Sequence, residues 1–249
     1  MRPIAGGVCT VCGERLFSPY ALAGPVNEVE SELRCGMCRR VEPVFARAMA
    51  YGSYESGLRE LIHLLKYGGV RPAANVLGRM LAEAIGGLEA DFPPEGVIVI
   101  PVPLHRKRLQ QRGFNQAELI ARAAMKNMRA DRLRLRPAAL ARTRETESQI
   151  GLTNHQRRAN LRGAFAVAEP EAVKGWEVLV VDDVYTTGST VSECARVLRR
   201  AGASKVWVAT VARTLKISAQ HMEIGPDVDD GEIDEQNATA VPLAKAVGL

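Results

Sequence analysis

Residues 178–190 read VLVVDDVYTTGST, an apolar run that ends in two aspartates and a loop of small polar residues. Val178 to Val181 form a short, continuous apolar run with β-branched residues, which is typical of a strand covered on both faces. After the loop, apolar residues recur at helical spacing from Val191 to Ala201, so a helix follows. Strand, loop and helix in this order form half of a parallel βαβ unit, whose ligand crevice lies beyond the carboxyl ends of the strands. We therefore predict an α/β fold, a parallel sheet flanked by helices, with a ligand site at this loop.

The loop itself has the chemistry of a phosphate site. It combines backbone N–H groups, hydroxyl donors and a helix N-terminus, which together attract a phosphate. Gly188 can adopt a conformation that larger residues resist, so the backbone can approach a ligand closely. Thr190 and Glu193 also match a capping box, so one threonine can instead serve the helix. We predict that the ligand phosphate contacts Thr186, Thr187, Gly188, Ser189 and Thr190.

Asp182 and Asp183 precede this loop, and their role differs from that of the loop. Carboxylates repel a phosphate, but they accept hydrogen bonds from the vicinal hydroxyls of a sugar. A ligand that carries a phosphate close to a diol is a ribose 5-phosphate. We expect both carboxylates to lie past the strand end and to be partly exposed. The alternative is that the two aspartates only cap backbone N–H groups at the strand end.

Four of the five cysteines lie within the first 40 residues, as two CxxC pairs separated by 22 residues. Two such pairs place four thiolates around one ion and leave no open position, which favours a structural zinc over a catalytic one. The alternatives are a pair of disulfides or a redox-active CxxC, and a cytoplasmic chain disfavours both. We predict a small N-terminal zinc ribbon over residues 1–45, with the ligands Cys9, Cys12, Cys35 and Cys38.

The composition is that of an ordinary soluble globular protein, with 47% hydrophobic and 24% charged residues among 249. No apolar run approaches the roughly 18 residues that a membrane span needs. The N-terminus MRPIAGGVC lacks the apolar core of a signal peptide. We expect a cytoplasmic protein without a membrane span.

The charge is unevenly distributed. Residues 1–214 carry 31 basic and 21 acidic residues, whereas the segment from Leu215 onward has a net charge of −5. Residues 102–162 alone have a net charge of +11. This segment follows a second predicted strand, 97–103, and begins with a basic loop that contains Arg106, Lys107, Arg108 and Arg112. A solvated surface is the ordinary explanation of scattered charges, but basic residues beside the crevice favour an anionic ligand such as a phosphate or a nucleic acid.

Several other segments complete the prediction. Helices are expected over 55–66, 73–85 and 114–126, a third apolar strand over 205–211, and an extended segment with a turn at Gly52 over 44–54. His63 falls on the polar side of the first helix, where we expect it to be solvated. The polar segment 141–162 is typical of a lid or binding loop. The acidic segment 215–249 is expected to be largely disordered, which leaves residues 46–214 for the sheet domain.

The stretch VLVVDDVYTTGST resembles the phosphoribosyl pyrophosphate (PRPP) signature of type I phosphoribosyltransferases, whose fold is a parallel sheet with a mobile hood over the site. The chain from residue 9 to about residue 213 also resembles the ComF family, in the order and position of several further elements. These are the double CxxC, LLKYGG, PVPLHRKRLQQRGFNQAELIA and the spaced residues Arg142-Thr143, Gln149, Gly151-Leu152, Arg158, Asn160-Leu161 and Gly163 to Phe165. The insertion at 145–148 and the acidic C-terminal segment depart from the family pattern.

The resemblance implies a role for each group of residues. Asp182 and Asp183 would act at the ribose hydroxyls, directly or through magnesium, and loop 186–190 would hold the 5-phosphate. The basic residues at 105–108, with Arg112, would neutralise the pyrophosphate, and residues 142–160 would form the hood. No histidine near this site has a partner that identifies it as a general base.

Two functions remain possible. In the first, which we favour, the chain is a ComF-like PRPP-binding protein of natural competence that handles single-stranded DNA with uptake or recombination proteins. In the second, it is an active phosphoribosyltransferase that transfers ribosyl 5-phosphate to an unknown nitrogen acceptor and releases pyrophosphate. Acceptor-dependent release of pyrophosphate distinguishes them.

Overall fold

The computed structural model describes residues 7–16, 33–128, 130–146 and 154–215. Its centre is a parallel sheet of five strands, and a separate antiparallel pair lies outside it. The central strands are β1 (Arg47–Ser53), β2 (Val97–Pro101), β3 (Leu133–Leu135), β6 (Glu177–Tyr185) and β7 (Lys205–Arg213), and the separate pair is β4 (Leu140–Arg142) with β5 (Phe165–Val167). The order across the central sheet is β1-β7-β6-β2-β3.

Helices connect and cover these strands. They are α1 (Gly36–Arg40), α2 (Ser56–Lys66), α3 (Ala73–Gly86), α4 (Arg106–Arg112), α5 (Gln116–Lys126), α6 (Asn154–Leu161), α7 (Pro170–Val173) and α8 (Ser189–Arg200). Short 3-10 turns occur at Glu89–Asp91 and Ala130–Arg132. Among the residues described, no helix is both long enough and apolar enough to cross a lipid bilayer.

Both faces of the sheet are buried, which explains the continuous apolar sequence of its strands. Val178 and Val180 face one side, where they pack with α8 and with the N-terminal residues 7–16 and 33–45, which carry the four cysteines and are called the cysteine segment below. Leu179 and Val181 face the other side, where they pack with residues of α2, α3 and α5. All four side chains are fully buried. The prediction of an α/β fold with a parallel sheet flanked by helices is therefore confirmed.

The strand order creates the crevice in which the site lies. From β2 the chain passes through α4 and α5 to β3 on one side, and from β6 it passes through α8 to β7 on the other side. The connections thus diverge between two adjacent strands, β2 and β6. Such a switch point opens a crevice at the carboxyl ends of the strands, where ligands of open α/β sheets bind.

Strand β6 is longer than the apolar pattern indicates. It does not stop at Val181 but continues through both aspartates to Tyr185, because β7 extends equally far and pairs with it. Asp182 lies opposite Thr210 in this ladder. Backbone pairing with a neighbouring strand therefore overrides the change from apolar to polar residues.

The predicted basic loop is a helix. Residues Arg106–Arg112 form α4, which ends at Gly113 with a left-handed φ of 74°. Arginine, lysine, glutamine and leucine all have high helix propensity, and glycine is the usual residue at such a C-terminus. Helix α5 begins at Gln116 rather than at residue 114, because the Asn115 side chain accepts a hydrogen bond from Ala117 N (3.1 Å) and caps it.

Two further local predictions differ from the structure. Strand β1 runs through Gly52 without a turn, since Gly52 pairs with Ala212 of β7. His63 is not simply solvated: its Nε2 lies 2.9 Å from the hydroxyl of Tyr54. Of the predicted lid, β4 and α6 are described, whereas residues 147–153 and the acidic segment from 216 onward lie outside the described residues.

Candidate functional site

The crevice at the switch point is bordered by the ends of β2 and β6. Val102 N donates to Val181 O (2.8 Å), so the backbone after β2 remains paired with β6 up to the first aspartate. The pairing between these two segments ends at this contact, and Asp182 and Asp183 follow on β6. The structure thus brings both predicted aspartates to the crevice.

The two aspartates are not equivalent. Asp183 is buried, with 4% of its surface exposed, whereas Asp182 is half-buried. The prediction that both are partly exposed is therefore wrong for Asp183. Its Oδ2 forms an ion pair with Lys66 Nζ at 2.8 Å.

One oxygen of each carboxylate serves the local backbone. Asp182 Oδ1 accepts a hydrogen bond from Asp183 N, and Asp183 Oδ1 accepts one from Val184 N, both at 2.9 Å. The capping role that we considered as an alternative therefore exists. It uses only Oδ1 of each carboxylate, so Oδ2 of Asp182 remains for a ligand, whereas Oδ2 of Asp183 is paired with Lys66.

The electrostatic environment of the pair is unusual. Burial, together with the adjacent Asp183 carboxylate, raises the pKa of Asp182 well above the ordinary value of a carboxyl group. For Lys66, burial lowers the pKa, but the ion pair with Asp183, together with the nearby Asp182 and Tyr54, outweighs burial and the pKa is raised overall. A cation that binds near Asp182 would favour its ionised form.

Lys66 is a site residue that the sequence pattern did not identify. It is the last residue of α2, where a lysine ordinarily stabilises the helix dipole in water. Here its side chain is only 18% exposed and reaches β6. The one signal available in the sequence was its place within the LLKYGG element, which the family resemblance includes.

The predicted phosphate loop begins the last helix in an open geometry. Gly188 is the N-cap residue of α8 and has a φ of 75°. Since glycine has no side chain, it makes no side-chain capping hydrogen bond to the helix. Thr187 Oγ1 and Ser189 Oγ lie 2.9 Å apart and both point into the loop. Ser189 N makes a long hydrogen bond to Thr187 Oγ1 (3.4 Å), and the next N–H groups of the first turn of α8 have the orientation that an anion requires.

The capping box predicted for Thr190 and Glu193 is not formed. The helix begins at Ser189, so the spacing of the box does not match its first turn. Instead, Glu193 Oε1 accepts a hydrogen bond from Gly163 N (2.7 Å), and the same carboxylate pairs with Arg196. Glu193 therefore fastens the end of the lid segment to α8.

The predicted basic residues lie on α4, three of them consecutive in its first turn and Arg112 one turn after Arg108. Arg106, Lys107 and Arg108 are exposed, and Lys107 pairs with Glu145 at 2.6 Å on the surface. Arg112 is half-buried: it donates to Gln116 Oε1 (2.6 Å), and its guanidinium lies 5.6 Å from the ring centre of Tyr67. Burial lowers the pKa of Arg112. Since Tyr67 follows Lys66 directly, Arg112 is the member of this set that borders the aspartates.

A further arginine approaches the crevice from the lid segment. Arg142 ends β4 and forms an isolated parallel bridge with His105. Its guanidinium donates to Thr146 Oγ1 and lies 5.4 Å from the ring centre of Phe165. Burial, with a contribution from the positive charge of Arg108, lowers the pKa of Arg142. Because Arg108 and Arg142 are close enough to repel each other, together they could bind an anion that carries several charges.

The four N-terminal cysteines form a second candidate site. All four are buried, and their Sγ atoms lie within 4.8 Å of one another. Cys12 Sγ and Cys35 Sγ are 3.6 Å apart, too far for a disulfide bond of about 2.05 Å. A tetrahedral zinc with Zn–S distances of about 2.3 Å requires S···S distances of about 3.8 Å, so the arrangement fits this ion.

Backbone hydrogen bonds hold the two CxxC pairs together and to the sheet. Thr10 N donates to Leu33 O (2.8 Å), which joins the first pair to the second. Ala48 N donates to Val11 O (2.7 Å), which joins the first pair to β1. The fifth cysteine, Cys194, lies apart on α8 and is fully buried, and burial raises its pKa well above the ordinary value.

Comparison with protein families gives one matching domain. The family described as "Phosphoribosyl transferase domain" matches residues 138–238. This range contains β4, α6, β6, the loop 186–190, α8 and β7. It therefore includes the aspartates and the phosphate loop.

Several curated proteins are similar over most of the chain. The DNA utilization protein YhgH of Escherichia coli O6:H1 is 35% identical over 217 residues, which cover 84% of this chain and 91% of that protein. Competence protein F of Haemophilus influenzae is 31% identical over 83% of this chain and 90% of its own length. Competence protein ComFC of Bacillus subtilis is 23% identical over 81% of this chain and 75% of its own length.

Proposed function

Since the chain belongs to the ComF family, competence-associated proteins with a phosphoribosyl transferase domain, we propose that it binds PRPP at the crevice and acts in the uptake of single-stranded DNA. The observation that carries this proposal is the combination of two carboxylates and an uncapped helix N-terminus at the switch point of the sheet. A phosphate and a sugar diol on one ligand match these two features, and the ribose 5-phosphate of PRPP has both.

Each part of the ligand has a matching group of residues. The loop 186–190 and the first turn of α8 bind the 5-phosphate by donating hydrogen bonds to it. The outward oxygen of Asp182 accepts the ribose hydroxyls, because its other oxygen is held by Asp183 N. Arg112, and Arg108 with Arg142, neutralise the pyrophosphate.

The carboxylates also fit magnesium. Hard cations prefer carboxylate and phosphate oxygens, and magnesium usually bridges one or two carboxylates to the phosphates of a substrate. When bound, magnesium would supply positive charge between Asp182 and the pyrophosphate. At Asp183 it competes with Lys66, whose ammonium already pairs with that carboxylate.

We propose zinc for the cysteine site, with Cys9, Cys12, Cys35 and Cys38 as its ligands. All four positions of the tetrahedron are filled by the chain, so this zinc is structural. Four thiols cannot all ionise in one buried cluster without a compensating cation, because like charges raise one another's pKa.

The DNA contact is proposed for the surface formed by α4 and the end of α2. This surface carries Arg106, Lys107, Arg108 and Arg112, and beside them Tyr67, whose side chain is 71% exposed. Cationic side chains bind the phosphates of a single strand, and an exposed aromatic ring stacks on its bases. Such a role places the protein in the cytoplasm, where the incoming strand meets recombination proteins.

Phosphoribosyl transfer to a nitrogen acceptor is the second candidate function. The arginines beside the crevice would stabilise the departing pyrophosphate while the acceptor attacks the ribose, so catalysis would consist of positioning and charge stabilisation. His105 follows β2 next to these arginines, and its buried Nδ1 has no hydrogen-bond partner among the described residues. Within the described part of the chain, His105 therefore has no partner that marks it as a general base.

Calorimetric titration with PRPP and magnesium tests the proposal. We expect saturable binding to the wild-type protein, and a loss of about one to two decades in affinity for Asp182→Asn, since a hydrogen bond to a charged group is worth about 1.5–3 kcal/mol. Inorganic phosphate is the control, because loop 186–190 should bind it equally well or better once a negative charge is removed. PRPP binding to the variant within threefold of wild type would contradict the assignment of Asp182.

An assay for pyrophosphate separates the two functions. The purified protein is incubated with PRPP, magnesium and a panel of nucleobases and amines. Release of pyrophosphate that depends on an added acceptor would establish the transferase. Binding of PRPP without such release supports the role as a ligand-binding component of DNA uptake.

A further inference from the structure

A buried arginine connects the cysteine site to the end of the sheet. Arg213 is the last residue of β7 and only 3% of its surface is exposed. Its Nη1 donates to Cys12 O (2.6 Å), and its Nη2 donates to Glu14 Oε2 (2.8 Å). The same Nη2 lies 3.8 Å from Cys12 Sγ. The guanidinium is therefore held by the first cysteine pair.

The other side of this guanidinium rests on a tyrosine. Its central carbon lies 4.4 Å from the ring centre of Tyr185, the last residue of β6. Tyr185 and Arg213 face each other in the β6–β7 ladder, and Thr214 N donates to Tyr185 O (3.0 Å). The edge of the Phe45 ring packs against the same tyrosine at 6.4 Å between ring centres. The tyrosine ring is thus fixed from both sides.

Tyr185 in turn shapes the start of α8. A Cβ atom added to Gly188 would overlap the hydroxyl group of Tyr185, so the ring packs directly against the glycine backbone. Gly188 has a φ of 75° and orients the first N–H groups of α8. A displacement of the tyrosine ring would therefore move the donors that bind a phosphate.

The bonds to the metal make the link sensitive to metal occupancy. An ion held by all four cysteines would fix the first pair against the second. Without the ion, the loop that carries Cys12 and Glu14 retains its backbone hydrogen bonds to Leu33 and Ala48 but loses this restraint on its sulfur atoms. Arg213 is buried and hydrogen-bonded to that loop, so its guanidinium follows any shift of Cys12 and Glu14.

We propose that Arg213 and Tyr185 transmit metal occupancy of the cysteine site to the phosphate loop, so that the metal-loaded protein binds phosphate more tightly. Arg213 is a positioning residue in this scheme, since it contacts neither the phosphate nor the ion. The inference rests on the proposed function only in that loop 186–190 binds a phosphate. Linkage is reciprocal, so phosphate must raise the affinity for the metal by the same factor.

The test measures both directions on the full chain. The affinity for inorganic phosphate and for PRPP is determined by calorimetry on the zinc-loaded protein and on the protein freed of zinc by a chelator. The zinc affinity is determined by competition with the chelator, with and without saturating phosphate. We expect about a tenfold change in each direction.

Two variants locate the link. Arg213→Lys keeps the charge but loses the fork that joins Cys12 to Glu14, and Tyr185→Leu removes the ring without removing a hydrogen bond of the cysteine site. In both, we expect phosphate and zinc to bind independently, with a coupling factor below twofold. Arg132→Gln is the matched control: this arginine also donates to a backbone carbonyl, Pro93 O at 2.7 Å, but it lies just before β3 at the opposite edge of the sheet and should leave the coupling unchanged.

The outcomes separate this inference from the proposed function. If the zinc-loaded wild type binds neither phosphate nor PRPP, the proposed function fails. If it binds them, and removal of zinc changes the affinity by less than twofold while circular dichroism shows a folded protein, the link is absent. Tenfold coupling that persists in both variants would assign the transmission to other residues and overturn the role of Arg213 and Tyr185.

Discussion

Asp182 and Asp183 are adjacent in the chain, but removal of the charge should affect the stability of the protein differently at each. Asp183 is paired with Lys66, whereas Asp182 carries a raised pKa because of burial and of its neighbour. A carboxylate that is kept ionised against its environment costs stability in the free protein. Such a group indicates binding rather than structural support.

Asp182→Asn should therefore stabilise the ligand-free protein. The pKa of Asp182 is raised on folding, so its contribution to stability is full below the ordinary carboxyl pKa of about 3.9 and is lost as the pH rises through the folded value. We expect the variant to exceed the wild type by about 1 kcal/mol at pH 8 and by less at pH 5. Urea denaturation in magnesium-free buffer measures this, with the exposed Asp131→Asn as control. A variant less stable than wild type at both pH values would show that the cap at Asp183 N dominates.

Lys66→Met should have the opposite effect. The substitution leaves the carboxylate of Asp183, of which 5% is exposed, without its cation. We expect a loss of about 3 kcal/mol at neutral pH. The double variant Lys66→Met with Asp183→Asn should recover most of this loss, because no uncompensated charge remains. Arg122→Met breaks an exposed pair with Glu118 instead, and should change the unfolding free energy by at most about 0.5 kcal/mol.

At the scale of elements, α4 shows the limit of apolar periodicity as a signal. Its sequence RKRLQQR has one apolar residue, Leu109, which is itself exposed, so no buried face exists to produce a period. Helix propensity and the glycine after Arg112 were the signals that indicate a helix. As a helix, α4 presents its cations on a rigid surface beside the end of α2, where Arg112 meets Tyr67.

This surface leads to a prediction for DNA. Tyr67→Ala should weaken binding of a short single-stranded DNA by about tenfold, since one stacked base is worth about 1–3 kcal/mol, while Tyr67→Phe should bind like the wild type. The logarithm of the affinity should fall with that of the salt concentration, by about 0.7 for each phosphate contacted. Fluorescence anisotropy measures both, with Val41→Ala as a control at an exposed apolar position on the cysteine segment. Binding that ignores both salt and Tyr67 would exclude this surface.

At the scale of the whole molecule, the cysteine segment is part of the main core. Cys9, Val11 and Phe45 belong to the same buried cluster as Val178 and Val180 of β6. The proposed domains 1–45 and 46–214 therefore share packing, and a perturbation of the first should reach one face of the sheet.

Cys35→Ser tests this at the metal. We expect elemental analysis to give about one zinc per chain for the wild type and close to none for the variant, because three thiolates bind far more weakly than four. The unfolding free energy should fall by several kcal/mol, since metal binding contributes to folding. Hydrogen exchange should accelerate most in the cysteine segment and in β1, which it contacts, and little in α3 on the opposite face. Cys194→Ser, away from the site, should leave the zinc content unchanged.

Local chemistry was determined by the sequence alone. The strand, the phosphate loop and the helix of 178–200 were predictable because apolar runs, loop residues and helical spacing act within a few neighbours. The four cysteines were predictable as one set because the spacing within a CxxC pair is itself the geometric requirement of the ion. The parallel sheet followed from the βαβ pattern.

The tertiary structure decided which distant residues meet. Lys66 ends a helix on one face of the sheet, yet it neutralises Asp183, because the packing of α2 directs its side chain to the carboxyl end of β6. Arg213 reaches Cys12 across 201 positions of the chain only because the cysteine segment packs at the end of β7. A periodic pattern states which face of an element is buried, but not what it is buried against. Burial against a particular partner is what turned an ordinary lysine, arginine and aspartate into parts of a site.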